Sequence, residues 1–422
     1  MNNSFNWLTR KTLSLRATIE KYLKTDLNYL LHGSFWLGLD QLSSSGTSFL
    51  LSIAFANLLA PDTYGIYKYI LSITSLLMIT TLSGMDPAVT QSISRGNEGT
   101  LTEGVRTKMK WSTIGSFISI CIAIYYGLHH NIIFAISFII VAIFLPICES
   151  YDMYNSMLAG KKLFKTQALY DISRNAIILI ALVCAVYFSA NIYIILLVYF
   201  LTLAIPNAFL YFRTLSIHKE NNTMDPGVLE YGKHLSVIYI IGTILGELDK
   251  ILVFHFVGAA NLAVYTLATA PTDQIKGILK NINSLALPRF SSRTAGEIRK
   301  TIWHKLIILA SLTSVGIVVY IFIAPLFFKI FFPKYITSVL YSQILSISLL
   351  AAILSGFLYT VLQSQKAKKE LYKYNIYSNI INFIVLIPLV YYFGIWGAVA
   401  TRVVTRFFTF GLSILLVRNI TD

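Results

Sequence analysis

Long apolar runs separated by short polar breaks organise the chain from residue 34 to residue 417. Crossing a bilayer core of about 30 Å takes roughly 20 helical residues. Twelve runs reach that length, near 34–58, 64–92, 111–128, 131–158, 171–189, 191–212, 229–257, 261–287, 303–325, 335–364, 372–393 and 395–417. They are continuously apolar rather than alternating, so they predict helices, whereas barrel strands alternate in segments of about 10 residues. The pattern predicts an all-α, polytopic membrane protein with twelve transmembrane helices.

Composition agrees, with 56% hydrophobic and 13% charged residues among 422 and a mean hydropathy of +0.67. A net charge of +15 suggests a polyanionic partner until the bases are placed along the chain. With both ends on one side, 25 of the 34 lysines and arginines fall in the termini and the even-numbered turns, and only Lys329 and Lys334 lie in turns on the other side. That asymmetry is the positive-inside rule, which predicts cytoplasmic termini and removes the need for nucleic acid. Tyr64, Tyr67, Tyr125, Tyr126, Tyr187, Tyr391, Tyr392 and Trp396 fall at the opposite ends of the runs, where amphipathic rings suit a headgroup layer.

Residues 1–33 are basic and lack the apolar region and cleavage site of a secretory signal. Ile19, Leu23, Leu27, Leu30 and Leu31 recur at helical spacing there, which suits either a helix lying on the membrane surface or a plain basic tail. Cys121, Cys148 and Cys184 all lie in apolar runs without metal-ligand spacing and read as small core residues. No phosphate-binding loop, paired-histidine zinc motif or nucleophile elbow is present, and His129 and His130 occupy a short turn, so the expectation is a protein without enzymatic chemistry or cofactor.

The chain also resembles itself. Residues 59–67 (LAPDTYGIY) match 257–265 (VGAANLAVY), and Tyr170–Asn175 match Tyr374–Asn379, offsets of 198 and 204. Two six-span units of like orientation follow, 34–212 and 229–418, joined by the polar linker 213–228 and related by a pseudo-two-fold axis along the membrane normal. Such bundles enclose a site between them that opens to each side in turn.

Several stretches also resemble a known family: LLAPDTYGIYKYILSITSLL and SGMDPAVT in the first two runs, LAGKKLF after the fourth, LQSQKAKK after the tenth, and FGIWGAVAT opening the twelfth. Together they are similar to the polysaccharide-biosynthesis flippases of the MOP (MATE-like) superfamily. Each stretch also has a packing role; Gly394, Gly397, Ala398 and Ala400 suit close helix contacts. The resemblance implies a flippase of the bacterial inner membrane that moves undecaprenyl-diphosphate-linked oligosaccharides for O-antigen or capsule. It also implies association with membrane lipid and with other membrane proteins of polysaccharide assembly.

Seven bases fall inside the runs. Arg402 and Lys250 lie about 10 Å from the distal ends, Arg406 about 17 Å and Lys276 about 23 Å. Lys68 and Lys280 are near enough to an edge to snorkel, and Arg174 beside Asp171 reads as a boundary charge. Given the resemblance, Arg402, Arg406, Lys250 and Lys276 are the expected diphosphate and sugar contacts, with arginine as a planar fork and lysine as a point charge. Four acids, Asp40, Glu247, Asp249 and Asp273, are similarly deep and could instead neutralise them through pairs such as Glu247 with Lys250 or Asp273 with Lys276. The same acids, Asp249 and Asp40 first, are candidates for coupling a proton or sodium ion. Those acids would serve a drug or cation antiporter of the same superfamily too. A membrane polysaccharide polymerase is a more distant alternative, since every turn on the distal side is short.

Overall fold

The computed structural model describes residues 27–291, 295–365 and 367–418, with side chains described outside 27–32 and 276–300. Most of the basic N-terminal segment, the Lys276 and Lys280 side chains among the site expectations, and the end of the chain lie outside the described residues.

Among the described residues the secondary structure is helical throughout. In chain order the helices are α1 (Leu27–Leu58), α2 (Pro61–Leu77), α3 (Met85–Ser94), α4 (Thr100–Leu128), α5 (Ile132–Tyr151), α6 (Tyr154–Gly160) and α7 (Phe164–Phe188). They continue as α8 (Ile192–His218), α9 (Val228–Val257), α10 (Ala259–Ser291), α11 (Ala295–Phe331), α12 (Ser338–Ser364), α13 (Lys368–Phe393) and α14 (Ile395–Arg418). Starts follow local chemistry: Pro61 opens α2 with Asp62 in its first turn, and the Asn131 and Asn191 side chains cap α5 and α8 by accepting the Phe134 and Tyr193 amides.

Among the described residues, eight helical segments are individually long and apolar enough to cross a membrane, and the bent pair α2–α3 makes a ninth. The α9 helix falls below that measure because Glu247, Asp249 and Lys250 interrupt it. The protein is therefore a multi-pass membrane protein.

The run 64–92 is not one helix. It bends by 48° between α2 and α3, through a 3₁₀ turn at Met78–Thr81 and a left-handed Leu82. Thr80 and Thr81 donate their hydroxyls to the Leu77 and Met78 carbonyls at 2.8 Å, a local alternative to the helical ladder. The Gly84 amide, freed by the break, donates to the Ser236 hydroxyl of α9 at 3.0 Å.

Packing divides the molecule. Helices α1 and α3–α8 pack mainly among themselves, as do α10–α14, while α2 and α3 meet α9 and α10 along the seam. One continuous core at the distal end joins both groups, from Phe55, Tyr64 and Ile70 to Tyr265, Phe328 and Tyr335. At the basic end the cores are separate, one around Met85, Met157 and Leu158 and one around Leu306, Leu358 and Val361. The two groups thus share one core at the distal end, while at the basic end α9 stays packed on α3 through Val228, Leu229 and Leu235, and α11, α12 and α14 form a core of their own.

The distal seam is tight. A Cβ on Gly65 would lie 1.8 Å from the Ala259 carbonyl oxygen, so α2 and α10 touch there through backbone. Alongside, the Asn57 amide donates to the Phe331 carbonyl at 2.8 Å, and the Lys334 ammonium donates to the Asn57 carbonyl at 2.7 Å. The ends of α1 and α11 each have an otherwise orphaned carbonyl capped from across the seam. Tyr64 and Tyr67, expected in a headgroup layer, are 0% and 3% exposed in this shared core, whereas Tyr125, Tyr187, Tyr391, Tyr392 and Trp396 are exposed as expected. The two tyrosines turn inward because their helix is at the seam rather than on the perimeter.

At the basic end the linker is strapped to the N-terminal group. Buried Glu98 accepts the backbone amides of Glu220 and Asn221 and pairs with Lys161 at 2.7 Å, while Lys161 also donates to the His218 carbonyl. Burial alone would raise the Glu98 carboxyl, yet the Lys161 hydrogen bond and the two amides outweigh it and hold it below its ordinary value. Lys161, facing Glu98 and Glu220, is raised in turn against its own burial.

Candidate functional site: a charged cavity among α9, α10, α13 and α14

A cavity of about 420 Å³ opens among these four helices, lined by Gly246, Asp249, Lys250, Asp273, Asn379, Asn382, Arg402 and Arg406 among others. Arg402 and Arg406, one turn apart on α14, share the face that looks into it. Three of the four expected cargo contacts and two of the four expected acids therefore meet at one place, with Glu247 beside them. All the lining comes from the C-terminal group rather than from both groups, while α2 and α3 pack against α9.

The bases are matched by acids. Arg402 binds Asp249 through two nitrogens, at 2.8 and 2.9 Å, and reaches Asp273 at 3.0 Å. Arg406 donates to the Ser348 hydroxyl at 2.8 Å and lies 3.8 Å from Asp273. Lys250 pairs with Glu247 at 2.9 Å, the pairing expected from their spacing. Asp273 pairs with the arginines across the bundle, and its expected partner Lys276 lies outside the described side chains.

Asp249 is the centre of the network. Only 5% exposed, it accepts the Tyr265 hydroxyl at 2.6 Å and the Lys250 amide at 2.8 Å as well as Arg402. A carboxylate holding four donors in a buried place is a fixed counter-charge for Arg402. Asp273, at 43% side-chain exposure, is the acid open to the cavity.

A family described as "Polysaccharide biosynthesis protein" matches residues 30–294, well over half the chain. The chain belongs to this family. No curated protein matches it in sequence. Among solved structures, an inward-facing multidrug resistance MATE family transporter of the MOP superfamily is similar at a TM-score of 0.66 and 11% identity, over 89% of this chain and 94% of that one. The outward-facing conformation of such a transporter is similar at 0.59 and 13%, over 94% and 96%. A MOP superfamily transporter from Pyrococcus furiosus, described as having a binding pocket of reversed polarity that suggests a different function, is similar at 0.61 and 12%, over 94% and 96%. At such identities the likeness shows the fold: this polysaccharide biosynthesis protein has the MATE-like transporter fold.

The protein carries a second polar network in its N-terminal group. Arg174, read from sequence as a boundary charge, binds Asp152 at 2.6 Å, Asp171 at 3.2 Å and the Asn207 side chain at 3.1 Å. Tyr154 donates to Asp171 at 2.9 Å, and Lys108, 1% exposed, pairs with Asp86 at 2.9 Å. Asp40 stands within Coulombic range of Asp171 and Arg174 and forms no ion pair among the described residues. It is thus apart from Glu247, Asp249 and Asp273, in the other group of helices. The three-residue step from Asp171 to Arg174 was the local sign of this network; Asp152 and Asn207 reach it only through folding.

The Lys68 ammonium lies over the rings of Tyr64 and Tyr67, at 5.4 and 5.9 Å, within Coulombic range of Lys250 and Glu247.

Proposed function

We propose that the protein moves undecaprenyl-diphosphate-linked oligosaccharide repeat units from the cytoplasmic to the outer leaflet of the bacterial inner membrane by alternating access. In this reading twelve spans form two six-helix bundles, 34–212 and 229–418, with linker 213–228, cytoplasmic termini and the basic end facing the cytoplasm. The observation that carries it is the charged cavity itself, built around two arginines in a member of a polysaccharide biosynthesis family, beneath a distal seam that is closed.

The sugars and diphosphate would occupy the polar interior while the polyprenyl tail stays in lipid. Arg402 and Arg406 present guanidinium groups that an incoming diphosphate can share with Asp273, the exposed acid of the set. Movement of an anion outward is also favoured by an inside-negative potential, by about 2.3 kcal/mol per charge at 100 mV. Asp40 supports a coupling role for a proton or sodium ion, being a half-buried acid without a paired base among the described residues.

That acid equally suits a second reading, an ion-coupled drug or cation antiporter. Deletion of the gene followed by lipid extraction separates the two. Accumulation of undecaprenyl diphosphate carrying a complete repeat unit in the cytoplasmic leaflet is the expected result. Normal distribution across both leaflets, in a strain without a redundant transporter and with altered drug resistance, would establish the antiporter instead.

A further inference from the structure

We propose that Asn379 and Asn382 of α13 form a sugar subsite beside the two arginines and read the hydroxyl groups of the sugar joined to the diphosphate. The inference rests on the flippase reading and assigns to that cavity the residues that tell one glycan from another.

The side chains of the cavity divide by what they have left to offer. Arg402, Asp249 and Lys250 are held in ion pairs, and Arg406 donates to the Ser348 hydroxyl. Thr401 and Thr405 donate their hydroxyls to the Gly397 and Thr401 carbonyls of their own helix, at 2.8 and 2.7 Å. Asn379 and Asn382 line the same space and form no hydrogen bond among the described residues. Each carboxamide holds one oxygen acceptor and two N–H donors in a single plane, which suits a pair of neighbouring hydroxyls, one donating and one accepting. Being neutral, the amides can bind an uncharged ring without competing with the arginines for phosphate.

Position fits the attachment. α13 and α14 turn back on each other at Gly394, with Gly397 against the Leu389 carbonyl, which brings Asn382 to about the depth of Arg406 and Asn379 one turn nearer the basic end. A sugar on the amides is thereby next to a diphosphate on the arginines. Gly242 and Gly246, one turn apart on α9, also line the cavity, and a Cβ on either would meet nothing within 4 Å. Their bare backbone leaves room for a ring within the cavity of about 420 Å³. The internal repeat shows the contrast: Asn175, the counterpart of Asn379, donates to the Ser43 hydroxyl of α1 at 3.5 Å, whereas Asn379 keeps its amide for the cavity.

The test uses the purified full-length protein in lipid nanodiscs, probed with farnesyl diphosphate and with conjugates of it carrying glucose, galactose, N-acetylglucosamine or N-acetylgalactosamine. At least one conjugate should bind the wild type roughly tenfold or more tighter than farnesyl diphosphate, the worth of two neutral hydrogen bonds. The double substitution Asn379→Leu with Asn382→Leu keeps the volume and removes the amides, so that advantage should disappear. Gly246→Leu, which fills the open space on α9, should remove it too. Asn375→Leu, on the same helix but with its amide donated to the Leu371 carbonyl, should leave it. Neither unpartnered amides nor an open glycine hold the fold together, and unchanged melting temperatures are the check. Conjugates no tighter than farnesyl diphosphate, an advantage that survives loss of both amides, or an equal loss in Asn375→Leu overturns the sugar subsite while leaving the flippase reading in place. Binding of no probe to the wild type overturns both.

Discussion

The reciprocal caps at the distal seam define a latch whose strength follows from its parts. Asn57 contributes one neutral hydrogen bond to the Phe331 carbonyl, worth about 1 kcal/mol net. Lys334 places a cation on the C-terminal carbonyls of α1, at Asn57 and, at 3.4 Å, Leu59; because this lysine is exposed, about 1 kcal/mol is the appropriate figure rather than the higher value of a buried charged bond. The double substitution Asn57→Ala with Lys334→Ala should therefore cost the distal-closed state about 2 kcal/mol, a shift of roughly 30-fold toward the distal-open one. Ala56 is 0% exposed in the shared core, so Ala56→Cys, in a protein whose Cys121, Cys148 and Cys184 are replaced, reports opening through its reaction with a membrane-impermeant maleimide. Labelling should accelerate about 30-fold in the double variant when opening is fast relative to reaction. Lys329→Ala, at the same end and without a bond across the seam among the described residues, is the control. An unchanged labelling rate in the double variant, or an equal effect of Lys329→Ala, would refute the latch.

Two further outcomes are expected. Asp249→Ala removes the acceptor of Arg402, Tyr265 and the Lys250 amide; with Asp273 still paired to Arg402, destabilisation should be about 3 kcal/mol, and adding Arg402→Met should recover part of it in the thermal unfolding of the purified protein. Additive losses would mean that the pair is not coupled. The linker strap is expected to be pH-dependent: a carboxyl held below its unfolded value of about 4.3 stabilises the strap above that pH, and the stabilisation disappears as pH falls through the lower folded value. Lys161, raised when folded, contributes below about 10.4 and loses its contribution as pH rises through its folded value. Hydrogen exchange at the Glu220 and Asn221 amides, corrected for intrinsic rates, should quicken below about pH 4, and Glu98→Gln should abolish most of that dependence.

Sequence reading reached what depends on local order. Helices, their approximate ends and the close contacts of the twelfth run follow from hydrophobic length and from small residues; a Cβ on Gly397 would indeed meet the Leu389 carbonyl oxygen at 1.8 Å. The Glu247–Lys250 pair was legible because three residues is a helical neighbour distance. By contrast, Asp273 was read against Lys276 on its own helix, whereas its described partners, Arg402 and Arg406, are more than a hundred residues away in the chain.

Hydropathy and charge order thus determine by themselves that this chain is helical, embedded in a membrane and basic at one end, since each of these is set by how single segments partition between water and lipid. Which side chains share a cavity depends on how those segments rotate about their axes when they pack, and apolar runs leave that rotation open. Tertiary structure alone turned Tyr64 and Tyr67 inward, used Lys334 to cap a helix across the seam, and gave Arg402 its two acids. A buried charge finds its partner through space, and separation along the chain has no part in that choice.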